Sequence, residues 1–193
     1  MKLKSIALVF LCSFMLNIVF AQKSNFSPAN TKHNIKFGLN TDFDGDPFVL
    51  GVAWEFKVAK RNSIQLELFP KSYKDNYSQR NGLAASFSIR RYLDKNKEGI
   101  QGIYISEVLK FGRFDENYFS TYSSKRKYTN SSMSVLFGKQ WIFKSGFSLD
   151  VNGGFGFYNK KIDKVYVNYP VYNNKDINYG ILPTFNLKIG YAF

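Results

Sequence analysis

"PFVLGVAWEFKVAKRNSIQLELF", Pro47 to Phe69, alternates with a period of two through almost its whole length. Its first half puts Phe48, Leu50, Val52, Trp54, Phe56 and Val58 on one side, and Val49, Gly51, Ala53, Glu55 and Lys57 on the other. A polar turn, Ala59–Asn62, leads to Ile64, Leu66 and Leu68 alternating with Gln65, Glu67 and Phe69. A period of two with a polar turn at its centre is the signature of a β-hairpin. The two faces differ in kind. One is large and apolar; the other is small, polar or charged. A soluble barrel keeps its large apolar side chains inside, whereas a narrow lumen takes small residues and a lipid-facing surface takes large ones. The hairpin therefore reads as part of a membrane barrel.

The pattern recurs along the chain. Ile35, Phe37 and Leu39 share one face of a strand over 34–40, and Leu83, Ala85, Phe87 and Ile89 one face of a strand over 82–93. Over 100–111, Ile103, Ile105 and Leu109 face outward, with Glu107 in the same register. Met133, Val135, Phe137 and Trp141 do so over 131–143, and Phe147, Leu149, Val151, Phe155 and Phe157 over 146–158. The last strand carries Phe185, Leu187, Ile189, Tyr191 and Phe193. These make eight strands, and the fold expected is all-β: an eight-stranded antiparallel up-and-down transmembrane β-barrel over 34–193. Its connections alternate as outer-membrane barrels require. Segments 59–62, 94–99 and 144–146 are short; 41–46, 72–81, 112–130 and 159–179 are longer and are expected to be extracellular loops.

Composition agrees. Lys2 and Lys4 followed by the apolar run Ile6–Phe20 read as a signal peptide over 1–21, cleaved after Ala21 and followed by a short segment over 22–33. Cys12 falls within that signal, so the mature chain has no thiol for a disulfide or metal site. Aromatic residues make up 18% of the chain, yet beyond the signal no run of about 20 apolar residues could form a spanning helix. With the two signal lysines aside, 25 basic residues face 14 acidic ones. In an exported barrel without a recognition motif, that balance points to anionic lipid or polysaccharide rather than nucleic acid.

The stretch "LFGKQWIFKSGFSLDVNGGFGF", Leu136 to Phe157, resembles the penultimate hairpin of small outer-membrane β-barrels of the OmpA/OmpW-like class found in Bacteroidota. The shared features are Gly138-x-Gln140-Trp141 at a strand end, a short Gly turn, then Asp150 and Gly154-x-Gly156. The Phe20-Ala21-Gln22 cleavage context and the aromatic Phe193 match as well. The resemblance implies the fold and an outer-membrane location, with the last strand recognised by barrel-assembly machinery. It brings no catalytic residues.

Several residues are candidates for chemistry. A hairpin symmetric about Arg61 would set Glu55 directly opposite Glu67 in the lumen, where two carboxylates repel unless something lies between them. They could form an acid/base pair or cation site. The expectation is instead a lumen network in which Lys57, Arg90 and Lys188 neutralise Glu55, Glu67 and Asp150. The sole histidine, His33, is expected just before the first strand as a solvated rim residue. Asp42, Asp44 and Asp46 have the oxygen density of a calcium loop without EF-hand spacing, so no metal or other cofactor is expected. Lys125, Arg126, Lys127, Lys160 and Lys161 lie in expected Tyr-rich loops, where they would grip lipopolysaccharide or another polyanion. Trp141, Tyr191 and Phe193 form an expected aromatic girdle at the periplasmic rim. Lys139 faces lipid there and must snorkel, unless the strand is bulged after Gly138. The reading as a whole is a monomeric, non-enzymatic outer-membrane barrel with a structural or surface-interaction role. The alternatives are a lipid-modifying membrane enzyme using the lumen carboxylates and a narrow porin-like pore.

Overall fold

The computed structural model describes residues 27–41, 49–74, 78–94, 99–119, 124–167 and 177–193. After a 3-10 turn at Pro28–Asn30 come eight strands: β1 (His33–Asn40), β2 (Val49–Ala59), β3 (Asn62–Lys74), β4 (Ser78–Tyr92), β5 (Gly102–Tyr118), β6 (Ser124–Ile142), β7 (Phe147–Val167) and β8 (Ile177–Ala192). Each pairs antiparallel with its neighbours in sequence, and β8 pairs with β1 to close the barrel. Closure removes the edges that an open sheet would leave unpaired.

Alternation decides which face is inside. Leu50, Val52, Leu66, Leu68, Phe137, Phe155, Phe157 and Ile181 point outward and are exposed, Phe155 and Phe157 each by 70%. The residues between them are buried and small, polar or charged: Ala53, Glu55, Gln65, Glu67, Ser86, Ser88, Arg90, Ser134, Asp150 and Lys188. Thirty large apolar side chains among the described residues are exposed. Soluble monomers seldom show apolar patches beyond a few hundred Å², so this belt requires a hydrocarbon surround.

Strand length departs from expectation. The segments 72–81, 112–130 and 159–179 were expected as loops, but β3 to β8 run far into them. β5, β6 and β7 reach 17, 19 and 21 residues, about twice the 9–11 that cross a bilayer, whereas β1 has 8. The side chains explain this. Ser, Thr, Tyr and alternating charges over Arg113–Tyr118 and Lys125–Asn130 are polar enough to look like loop, yet they keep the period-two pattern that pairs as sheet. Beyond the apolar belt β5–β7 continue as a standing sheet on one side of the barrel.

At the opposite, short-turn end, β2 and β3 are joined by Lys60-Arg61 alone. The turn pairs Ala59 with Asn62, and a bulge between Lys57 and Ala59 shifts the register by one more residue, so the hairpin is offset by two from one centred on Arg61. Glu55 is therefore level with Gln65 and Glu67 with Ala53, which corrects the expected Glu55–Glu67 opposition. β6 shows no irregularity after Gly138: Lys139 stays in register with Val151, and its Nζ lies 4.9 Å from the centre of the Trp141 ring. His33 opens β1 rather than preceding it, and its ring stacks between Trp54 (5.9 Å) and Phe193 (5.6 Å).

Candidate functional site

From the short-turn end inward, the lumen is filled in layers. Tyr92, Ile100, Tyr104, Ile142 and Ala192 make an apolar stopper. Ile100 comes from the β4–β5 connection and is fully buried in the mouth, where its carbonyl accepts a hydrogen bond from Gln140 Nε2. Behind it, Thr31 Oγ1 donates to the Pro28 carbonyl. Gly99, with φ of 87°, brings the backbone so near Pro28 that a Cβ would come within 2.6 Å of that residue's carbonyl oxygen.

The next layer is ionic. Lys36, on β1, sits at its centre with Nζ 2.6 Å from Glu55 Oε2 and 2.8 Å from Asp150 Oδ2, and it also donates to Gln65 and Gln140. Arg90 Nη1 adds contacts of 2.7 Å to Asp150 and 3.7 Å to Glu55. Tyr92 donates its hydroxyl proton to Glu55 at 2.7 Å, Tyr104 donates to Asp150, and Ser63 donates to Glu55. One level on, Lys188 pairs with Glu67, which also accepts from Asn40 at 3.0 Å. Three cations thus meet three carboxylates inside a barrel where each is at most 4% exposed. Buried charges are tolerated only with this degree of pairing and hydrogen bonding.

Five residues of the expected network, Glu55, Glu67, Arg90, Asp150 and Lys188, come together here. Lys57 does not: it lies half-buried at the rim in none of these pairs. Lys36 takes the place expected of Lys57. The signal was available, since Lys36 falls between Ile35 and Phe37 on the inward face of β1. It was hidden between the outward Ile35 and Phe37, which draw attention to the apolar face of the strand.

Above the ions, Ser86, Ser88, Ser132, Ser134, Thr184 and Asn186 line a cavity with room of about 40 Å³, space for water. A second apolar layer of Val49, Phe69, Ala84, Phe114 and Tyr128 closes it. Lys110 lies 4.3 Å from the Phe69 ring centre and Lys160 4.1 Å from that of Tyr128. At the top Arg80 pairs with Glu116. Burial and the neighbouring Glu116 carboxylate push the Tyr118 phenol above its ordinary range.

The expected polyanion-binding loops are strand. Lys125, Arg126 and Lys127 lie on β6, so alternation splits them: Arg126 turns inward over Tyr118 at 5.0 Å, while Lys125 and Lys127 face out. Lys160 faces in and Lys161 out, level with Thr129. Together with exposed Arg113, which is also level with Thr129, the outward set is Arg113, Lys125, Lys127 and Lys161 across three adjacent strands. Asp115, level with Lys127, is an acidic residue among them. Of the girdle residues, Trp141 and Phe193 are exposed near the short-turn rim, and Tyr191 is level with Ile35 and Phe147. Asp42, Asp44 and Asp46 lie outside the described residues, as do residues 1–26.

Among curated proteins, none matches this chain. Solved structures similar to it include the translocator domain of the autotransporter NalP from Neisseria meningitidis. That similarity has a TM-score of 0.50 at 13% identity, covering 96% of this chain and 69% of that one. Another is the outer-membrane protein AlkL in DMPC bilayers, at TM-score 0.50 and 10% identity, covering 89% and 94%. At such identities the likeness is one of fold, that of outer-membrane barrels. In sequence, residues 7–193 match the family described as "Protein of unknown function (DUF3575)", and the chain belongs to that family.

Proposed function

We propose that the protein is a monomeric, non-enzymatic barrel of the bacterial outer membrane. Its standing sheet β5–β7 binds anionic surface groups, lipopolysaccharide phosphates above all. The observation that carries this reading is the outward set Arg113, Lys125, Lys127 and Lys161, held on rigid sheet just beyond the apolar belt, where lipid phosphates lie. Charges on a paired strand are pre-spaced, so binding orders fewer side chains than it would on a loop. Phosphate oxygens accept from lysine and arginine with charge assistance.

The layered lumen supports a closed, non-catalytic interior. Each carboxylate is taken up by a cation, and apolar layers cover both ends. The test is binding of purified, refolded protein to lipopolysaccharide over a salt series. Replacing Arg113, Lys125, Lys127 and Lys161 together by Gln is expected to weaken binding at least tenfold and to flatten its salt dependence. Unchanged affinity would sink the assignment. Release of fatty acid from the lipid during the incubation would favour an enzyme instead.

A further inference from the structure

The apolar belt is notched on β4. On β4, Ala85 replaces the large side chains of its outward neighbours Leu83 and Phe87, and it lies level with Leu68 and Val52. Ala85, Leu68 and Val52, with Ile35, Trp54 and Leu66 in the adjoining outward row, line a groove of about 730 Å³ on the outside of the barrel, whose floor also touches Ala53, Glu67 and Ser86. The groove runs from mid-belt to the short-turn rim, where His33 and Phe193 form its lip. His33 Nδ1 is buried there without a hydrogen-bond partner among the described residues.

The rim at that end is basic. Lys32 and Arg91 are exposed on it and Lys57 is half-buried, and the main chain of Lys32 bonds both Lys57 and Phe193. From β1 to β4 no Asp or Glu side chain among the described residues faces outward, because Glu55 and Glu67 are both turned into the lumen and paired. A groove whose walls are hydrocarbon and whose mouth is cationic has the polarity of one ligand class. Resting on the membrane reading above, we infer that it is a binding site for an anionic glycerophospholipid. One acyl chain lies along Val52, Trp54, Leu68 and Ala85, and the phosphate sits against Lys32 and the imidazole of His33. Basic residues near a membrane surface attract anionic headgroups, and the groove adds the fit for a chain that a zwitterionic lipid of the same length would share. The charge therefore decides which lipid occupies it.

Trp54 is the reporter. The chain has two tryptophans, so Trp141→Phe leaves Trp54 alone in the groove. The protein is reconstituted in phosphatidylcholine vesicles containing a small fraction of brominated phosphatidylglycerol, and separately a small fraction of brominated phosphatidylcholine. The expected result is that brominated phosphatidylglycerol quenches Trp54 about fivefold more than its share of the bilayer, the factor that one basic residue near the surface supplies. Lys32→Ala should return quenching to the bulk share, and Ala85→Phe, or the milder Ala85→Met, should likewise bring quenching by both brominated lipids to the bulk share, since Trp54 still faces the bilayer. Each variant is checked for folding by its heat-dependent gel mobility. Equal quenching by the two brominated lipids overturns the site while leaving the barrel in its bilayer. Quenching by neither overturns the membrane reading itself. Preference for phosphatidylglycerol that survives both the charge and the groove variants also overturns the site.

Discussion

Lys36 is the residue on which the interior depends. Its ammonium lies between Glu55 and Asp150 with no exposure, so Lys36→Met would leave two buried carboxylates with Arg90 as their remaining cation. Removing one partner of a buried ion pair costs about 3–5 kcal/mol, and urea unfolding in detergent micelles should show a loss of that order. Adding Glu55→Gln to Lys36→Met should recover part of it, because the orphaned charge goes with its partner. Lys57→Met, outside the network, should change stability by no more than about 0.5 kcal/mol. Were Lys57→Met the more damaging of the two, the assignment of the central cation would be wrong. Gly138 offers a separate check. A Cβ there would stand 2.6 Å from the Tyr104 ring and from Asn152 Cβ, so Gly138→Ala should cost about 1–3 kcal/mol through overpacking.

At the scale of the element, the standing sheet is the feature with most consequence. Had 112–130 and 159–179 been loops, neighbouring residues would be similarly accessible. As strand they alternate: Tyr128 and Asn130 are buried, and Thr129 between them is exposed. Single cysteines at 128, 129 and 130 in refolded protein should therefore react with a bulky maleimide at 129 alone, by a margin of at least tenfold. Equal labelling at all three would return the segment to loop. The same alternation divides Lys125-Arg126-Lys127 between two faces, and it is why a run of three basic residues presents two charges outward. The bulge between Lys57 and Ala59 acts in the same way at the other end. Together with the Ala59–Asn62 turn, it sets Glu67 two residues away from the position opposite Glu55 and lets each carboxylate find its own cation.

For the whole molecule, the layers predict that the lumen does not conduct. Between Ile100 at one end and Phe114 with Tyr128 at the other, the space lined by Ser86, Ser88 and Ser134 has room of about 40 Å³, enough for water but not for a larger solute. Eight strands leave an interior just wide enough for its own side chains. Planar bilayers with the purified protein should show no stepwise conductance, and liposomes carrying it should not swell in small sugars. Lys36→Ala, by deleting the central side chain, is the variant in which leak would first appear. Steady conductance in the unsubstituted protein would contradict the filled lumen. Mobility should shift on heating in detergent, as a closed sheet resists unfolding until its ladder opens.

What the sequence determined alone is everything that follows from alternation. Period-two patterning with large apolar residues on one face and Gly, Ala, Ser and charge on the other sets the strand count, the inward and outward faces and the need for lipid. Five of the six network residues were legible because a charged residue on the small face has nowhere to go but the lumen. Three things were decided only by the tertiary structure. The pairing of Lys36 rather than Lys57 depends on how far each strand reaches across the lumen. The Glu55–Glu67 offset depends on a bulge that no residue type announces. The length of β5–β7 depends on neighbouring strands being there to pair with, since polar alternating residues form sheet when a partner edge is available and loop when it is not. Alternation is local and survives in one dimension. Register, reach and partnership are relations between strands, and they exist only once the barrel has closed.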